Sequence, residues 1–238
     1  MKMKTLYIAL LLGTNCISQE IDSNWYIKNI IQDYVTDTGT NLPQVTLYKT
    51  NGDKAHLSDY KGKILYIGVW ATSCGSSIGN FPYQEQLLKR LKAIHIDTMV
   101  QLINIHIDDS KKDWKKSLRK FKPPGINLFC GDTSILEKWH ISAPPTYILL
   151  DETSKIIGKE VYHPEEGGEI DYILFSLIQK VNIIDALWIK YEQEALMAKH
   201  KTGSALNNEY FKNWFNLTIS SFIEYQNWRT AHFKSKVR

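Results

Sequence analysis

The sequence predicts an α/β layer sandwich built on a mixed sheet, followed by a helical extension. Three observations carry that prediction. Two long apolar runs, residues 64–70 and 99–107, have the near-continuous pattern of strands covered on both faces. Segments of helical period alternate with strand-like runs up to about residue 178. Beyond that point the strand signals stop, and two helical patterns rich in aromatic residues follow.

The chain opens with Met1-Lys2-Met3-Lys4, an apolar run and the small-residue stretch to Ser18. This is the order of a secretory leader, and the apolar run is too short to span a bilayer as a helix. Residues 1–18 are therefore read as a signal peptide, with residues 19–41 as an N-terminal segment. Cys16 raises lipid attachment as a rival, but Gly13 and Asn15 stand where that pattern wants leucine and a small residue. Membrane association is expected only if Cys16 is lipidated. In residues 19–41, Ile27, Ile30, Ile31, Tyr34 and Val35 partly fit a short helix.

A domain is then expected over residues 42–178. Val45–Thr50 reads as a strand, and Asn51-Gly52 is a hairpin signal leading to a second short strand at Lys54–Leu57. A turn at 57–63 leads into the buried strand 64–70. Residues 76–92 are helical, with Leu87, Leu88 and Leu91 as the apolar stripe. The strand 99–107 ends in Asp108-Asp109. Residues 110–121 form a basic helix with Ser110 as N-cap and Trp114, Leu118 and Phe121 on its inner face. Pro123-Pro124-Gly125 stops it. Ile126–Cys130 is a short strand, and a helical turn follows it. Residues 146–151 and 156–162 are two further strands, and Glu169–Ile178 is a helix. In the extension, 179–238, helices are expected at 181–200 and 208–228, split by Thr202-Gly203-Ser204. Their aromatic residues are too many to leave exposed, and packing onto the sheet is the simpler outcome than a partner interface.

Composition narrows the function. Hydrophobic residues make up 43% of the 238 and charged residues 23%, which is globular. Three cysteines, Cys16, Cys74 and Cys130, exclude a disulfide-rich scaffold and a four-cysteine zinc site. The net charge of +4 is too mild to point to nucleic acid. Loss of the leader leaves 27 basic against 25 acidic residues. Export would place Cys74 and Cys130 where oxidation is possible. His95 and His106 have no ligand-like spacing. Asp108-Asp109 and Glu165-Glu166 alternate faces, so neither pair implies an acid/base dyad. No metal and no cofactor are expected. The run Lys111–Lys122 holds seven basic residues in twelve. It reads as a solvated helix face, with an acidic partner or anionic lipid as the functional alternative.

The chemical signal is Trp70-Ala71-Thr72-Ser73-Cys74-Gly75-Ser76-Ser77, where a buried strand gives way to a helix. A thiol there meets backbone N–H groups and the positive end of a helix dipole, and both favour the nucleophilic thiolate. Pro144-Pro145-Thr146 lies directly before a strand, a position that suits a cis proline. Together with Leu42-Pro43-Gln44-Val45-Thr46-Leu47, the stretch Asn51–Lys63, and Pro82 eight residues after Cys74, these features resemble the thioredoxin-like superfamily, and within it the exported TlpA-like thiol–disulfide oxidoreductases. The resemblance runs from about residue 42 to 178 and implies a thioredoxin-like fold.

It also implies a nucleophilic cysteine, matched by Cys74, and a resolving cysteine three residues on, where Ser77 stands. Ser77 cannot release a mixed disulfide, and at best it donates a hydrogen bond to the Cys74 sulfur. The family's buried carboxylate six residues before the cysteine is Gly68, and its glutamate six residues after is Asn80. The tryptophan that usually precedes the cysteine is Ser73. Pro144, before Pro145, has no N–H to offer a docking peptide. Cys74-Gly75-Ser76-Ser77 is also similar to the motif of monothiol glutaredoxins, but the flanking features are TlpA-like. The implied site is Cys74 and Ser77 for chemistry, with Trp70, Pro144 and Pro145 for substrate binding. The implied function is a monothiol oxidoreductase or isomerase of the bacterial envelope, acting on protein thiols or disulfides with an external thiol reductant. A redox-inactive binding module using the groove or the C-terminal helices is the alternative. Cys130 is expected to pack in the interior.

Overall fold

The computed structural model describes residues 35–108, 110–132, 134–200 and 205–236. The leader, Cys16 and most of the expected N-terminal helix lie outside the described residues. Seven strands form one sheet in the order β2-β1-β5-β4-β3-β6-β7. They are β1 (Leu47–Tyr48), β2 (Lys54–Ala55), β3 (Ile64–Trp70), β4 (Val100–His106), β5 (Ile126–Cys130), β6 (Thr146–Leu150) and β7 (Ile156–Lys159). β3, β4 and β5 run parallel, while β1, β2, β6 and β7 pair antiparallel.

The helices are α1 (Gly75–Gly79), α2 (Phe81–Ala93), α3 (Lys111–Phe121), α4 (Ile135–Lys138), α5 (Glu169–Ile178), α6 (Ile183–His200) and α7 (Glu209–Lys236). All seven residues of β3 are buried, as a strand covered on both faces requires. Tyr66, Leu102, Tyr147 and Leu149 face one apolar layer, and Leu65, Ile67, Val69, Ile103 and Ile105 face the other. Gly52, at φ 101°, turns the β1–β2 hairpin.

Four expectations change in detail. The helix expected at 76–92 is two helices that meet at Asn80. Pro82 sits in the first turn of the second and has no N–H for the carbonyl of Ile78. The strand expected at 156–162 stops at Lys159, because Glu160 takes a positive φ of 53°. The first hairpin strands are two residues each. The last helix runs eight residues past its expected end, to Lys236.

The C-terminal helices fold back onto the sheet domain. Phe211, Trp214, Phe215, Phe222 and Tyr225 are buried in the same apolar layer as Tyr83, Leu87 and Leu91 of α2 and Tyr172 and Ile173 of α5. Tyr172 lies 5.0 Å from Trp214 and Tyr83 lies 5.4 Å from Trp228, both edge to face. The Arg90 guanidinium forms a forked pair with Asp171 at 2.7 and 3.2 Å and lies 4.1 Å from the Tyr225 ring. The Tyr225 hydroxyl donates to the carbonyl of Glu165 at 2.7 Å. Packing within the chain is thus the outcome for the described part of the extension.

Candidate active site at the end of strand β3

Parallel pairing of β3 with β4 sets Trp70 beside His106. The loops that leave both strands therefore open on the same edge of the sheet. The loop from β3 carries Ala71–Ser73 and hands over to Cys74, which is the N-cap of α1. The Pro144–Pro145 bond is cis and stands across from it. The half-buried Cys74 Sγ lies 3.1 Å from Ser76 Oγ, and the thiol donates to the Pro144 carbonyl at 3.3 Å.

The Ser76 hydroxyl, then the Ser77 hydroxyl and the backbone N–H groups of both residues, hold the Cys74 thiol below its ordinary pKa against partial burial. The other described thiol behaves oppositely. Cys130 is buried on β5 among Leu47 and Leu128, and burial pushes its pKa up. Both cysteines are free thiols.

The structure brings Cys74, Ser77, Pro144 and Pro145 together, with changes of role. Ser77 is 1% exposed, and its hydroxyl accepts the Ala71 N–H at 3.5 Å. The nearest hydroxyl to the sulfur belongs instead to Ser76. Trp70 does not line a docking surface. It is 2% exposed and packs on Phe81 at 5.0 Å and on His106 at 4.4 Å, with Trp114 and Phe129 in the same cluster. Its ring is enclosed by these side chains behind the loop, so it supports the site from below. Pro144 presents only its carbonyl, as its covalent structure dictates.

Gly68 and Asn80 stand where the resemblance implies carboxylates, and both lie in buried, uncharged surroundings. A Cβ at Gly68 would come within 2.9 Å of the Tyr147 ring and 3.0 Å of Asn104 Oδ1. That space is closed by a buried network in which Gln84 Nε2 donates to Asn104 Oδ1 at 2.9 Å and to the Tyr147 hydroxyl at 3.1 Å. Asn104 Nδ2 donates back to Gln84 Oε1 at 2.9 Å. Asn80, the other departure, is buried and neutral at the junction of α1 and α2.

Sequence reasoning missed Asp108 and His106. The N–H groups of Thr72 and Ser73 donate to the two oxygens of Asp108 at 2.8 and 2.9 Å. His106 Nε2 stands 2.8 Å from Asp108 Oδ1 and 2.9 Å from Thr72 Oγ1. Burial opposes charge on Asp108, but the N–H groups of Ser73 and Thr72 and the neighbouring His106 outweigh it and hold the carboxyl below its ordinary range. This carboxylate staples the loop that ends in Cys74. The available signal was the placement of both strand ends on one edge, once β3 and β4 are read as parallel neighbours. Among the described residues no group of three or more His, Cys, Asp or Glu side chains is arranged to hold a metal.

No family model matches the chain. It is 26% identical over 122 residues to the thiol-disulfide oxidoreductase ResA of Bacillus subtilis, covering 50% of this chain and 64% of that protein. It is 21% identical over 154 residues to ResA of Geobacillus thermodenitrificans, covering 65% of this chain and 83% of the relative. A crystal structure of a candidate thiol-disulfide oxidoreductase from Bacteroides vulgatus matches at a TM-score of 0.51 and 28% identity, over 60% of this chain and 96% of that one. A solution structure of a like-named protein from the same organism matches at 0.51 and 27%, over 58% and 90%. The mixed sheet, the cysteine capping a helix beside a cis-proline, and the likeness to these bacterial proteins show a thioredoxin-like fold similar to that of TlpA-like thiol-disulfide oxidoreductases.

Proposed function

We propose that this protein is a thiol–disulfide oxidoreductase or isomerase of the bacterial envelope, working as a monothiol through Cys74. One observation carries the reading. The half-buried Cys74 caps a helix with the Ser76 hydroxyl 3.1 Å from its sulfur, which lowers its pKa, while the other described thiol is buried on β5, which raises its pKa.

The Cys74 thiolate attacks one sulfur of a substrate disulfide. A new S–S bond forms to Cys74, the old one breaks, and the departing thiolate takes a proton from solvent. Ser77 supplies no thiol to undo this mixed disulfide. An external thiol, small or protein-borne, attacks it, releases one partner as a thiol and leaves the other in the new disulfide. Asp108 positions the loop behind the nucleophile. Pro145 shapes the groove. The leader at residues 1–18 supports export, and no helix among the described residues is long and apolar enough to cross a membrane.

The test is the rate of Cys74 alkylation against pH in a Cys130→Ser variant. A lowered pKa moves the half-maximal rate below the free-thiol value of about 8.5. The same variant should yield a mixed disulfide with envelope proteins. An unshifted or raised midpoint with nothing trapped overturns the proposal. That result would favour the redox-inactive binding reading, for which the Pro144 carbonyl beside the sulfur is the supporting observation, since it attracts a thiol and repels a thiolate.

A further inference from the structure

Helix α3 and its C-cap Lys122 together carry seven basic residues, and every one is exposed. Of these seven, only Lys116 closes an ion pair among the described residues, with Asp113 at 2.7 Å. Lys111 Nζ lies 3.1 Å from the Tyr48 ring centroid. The helix is fixed in orientation. Trp114 is buried with Trp70 and Phe129, while Leu118 and Phe121 pack against the same cluster. All the apolar residues of α3 are therefore used inward, and the cations remain outside.

The helix is also tied to the active-site loop. Ser117 Oγ stands 3.1 Å from Thr72 Oγ1, two residues before Cys74. Eleven helical residues span about 16 Å, a length that about five extended residues would cover. A peptide with its disulfide at Cys74 can thus lay its flank along α3.

The geometry points to the outer face of α3 as an electrostatic docking surface for an acidic segment of the protein that Cys74 attacks. This rests on the reading of Cys74 as a nucleophile and adds the substrate class: disulfides flanked by Asp and Glu. Anionic lipid is the less suited occupant, because the helix has no exposed apolar residue to insert at an interface. Single surface pairs contribute little, so the advantage lies in the summed field, which speeds encounter and is screened by salt.

The experiment uses the full mature chain with Cys130→Ser. Three peptides of one length carry a cysteine activated as a mixed disulfide with thiopyridine, flanked by glutamates, by serines or by lysines. Attack by Cys74 forms the protein–peptide disulfide and releases thiopyridone, which absorbs. The acidic peptide is expected to react roughly tenfold faster than the serine peptide at low ionic strength. That advantage is expected to vanish by about 0.5 M salt. Combined Lys112→Glu, Lys115→Glu and Arg119→Glu should remove the preference. The rate with neutral dipyridyl disulfide should stay within about twofold, because these positions are exposed and do not touch the thiol. Equal rates for the three peptides, or a preference that survives the charge reversal, overturn the inference.

If Cys74 attacks no disulfide at all, the exchange reading fails. The surface is then judged by fluorescence anisotropy of a labelled acidic peptide on the Cys74→Ser chain. Salt-sensitive binding lost on charge reversal supports it, and no binding overturns it. Binding to phosphatidylglycerol vesicles with no peptide preference assigns the face to lipid and also overturns it.

Discussion

Ser76 and Ser77 act on the same sulfur from different positions. Ser76 is exposed and has its hydroxyl 3.1 Å from Cys74 Sγ. Ser77 is buried and shares its hydroxyl with the Ala71 N–H. Ser76→Ala is therefore expected to raise the Cys74 pKa more than Ser77→Ala does. Both shifts should move the alkylation midpoint upward, because removing a donor disfavours the charged form. Profiles for both variants that coincide with that of the unsubstituted protein would show that the hydroxyls do not set the thiolate. Asp108 works one step further away. It leaves the sulfur untouched and holds Thr72 and Ser73, so it is a positioning residue.

At the scale of elements, glycines report where two segments meet. A Cβ at Gly167 would come within 2.2 Å of the Tyr225 ring of α7. The same tyrosine donates to Glu165 in the turn before α5. Gly167→Ala thus forces α7 away from that turn, at an expected cost of about 1–3 kcal/mol. Gly79, where an added Cβ meets nothing, is the control, and Gly79→Ala should change stability by less than about 0.5 kcal/mol. Urea unfolding followed by tryptophan fluorescence compares them. Equal midpoints would mean that the Tyr225 contact yields without cost.

Across the whole molecule, the extension is joined to the sheet domain through a buried charge. Arg90 of α2 pairs with Asp171 of α5 under the Tyr225 ring of α7, and both side chains are almost fully buried. Asp171→Ala leaves the guanidinium without its partner and is expected to cost about 3–5 kcal/mol. The double change Arg90→Met with Asp171→Leu should cost much less, since it removes both charges. Chemical denaturation measures the two. A double variant as unstable as the single one would mean that packing, and not the stranded charge, sets the penalty.

Local pattern made much of this legible in advance. The buried strands β3 and β4, the Asn51-Gly52 hairpin, the Ser110 cap of α3 and the position of Cys74 all follow from periodicity and short-range spacing. That Ser77 stands where the resemblance implies a second thiol could be read directly from a single residue. Other features depend on which segments become neighbours. Parallel pairing of β3 with β4 carries His106 and Asp108 to a loop more than thirty residues earlier in the chain. Burial decided that Trp70 supports the loop from below and that Ser76, not Ser77, is nearest the sulfur. Docking of α7 on α2 and α5 decided that the aromatic extension covers its own core. The sequence by itself determined most of the elements and the place of Cys74 at a strand-to-helix turn, because both rest on contacts between nearby residues. Only the tertiary structure decided what surrounds that thiol, because those neighbours are brought in by strand register and helix packing.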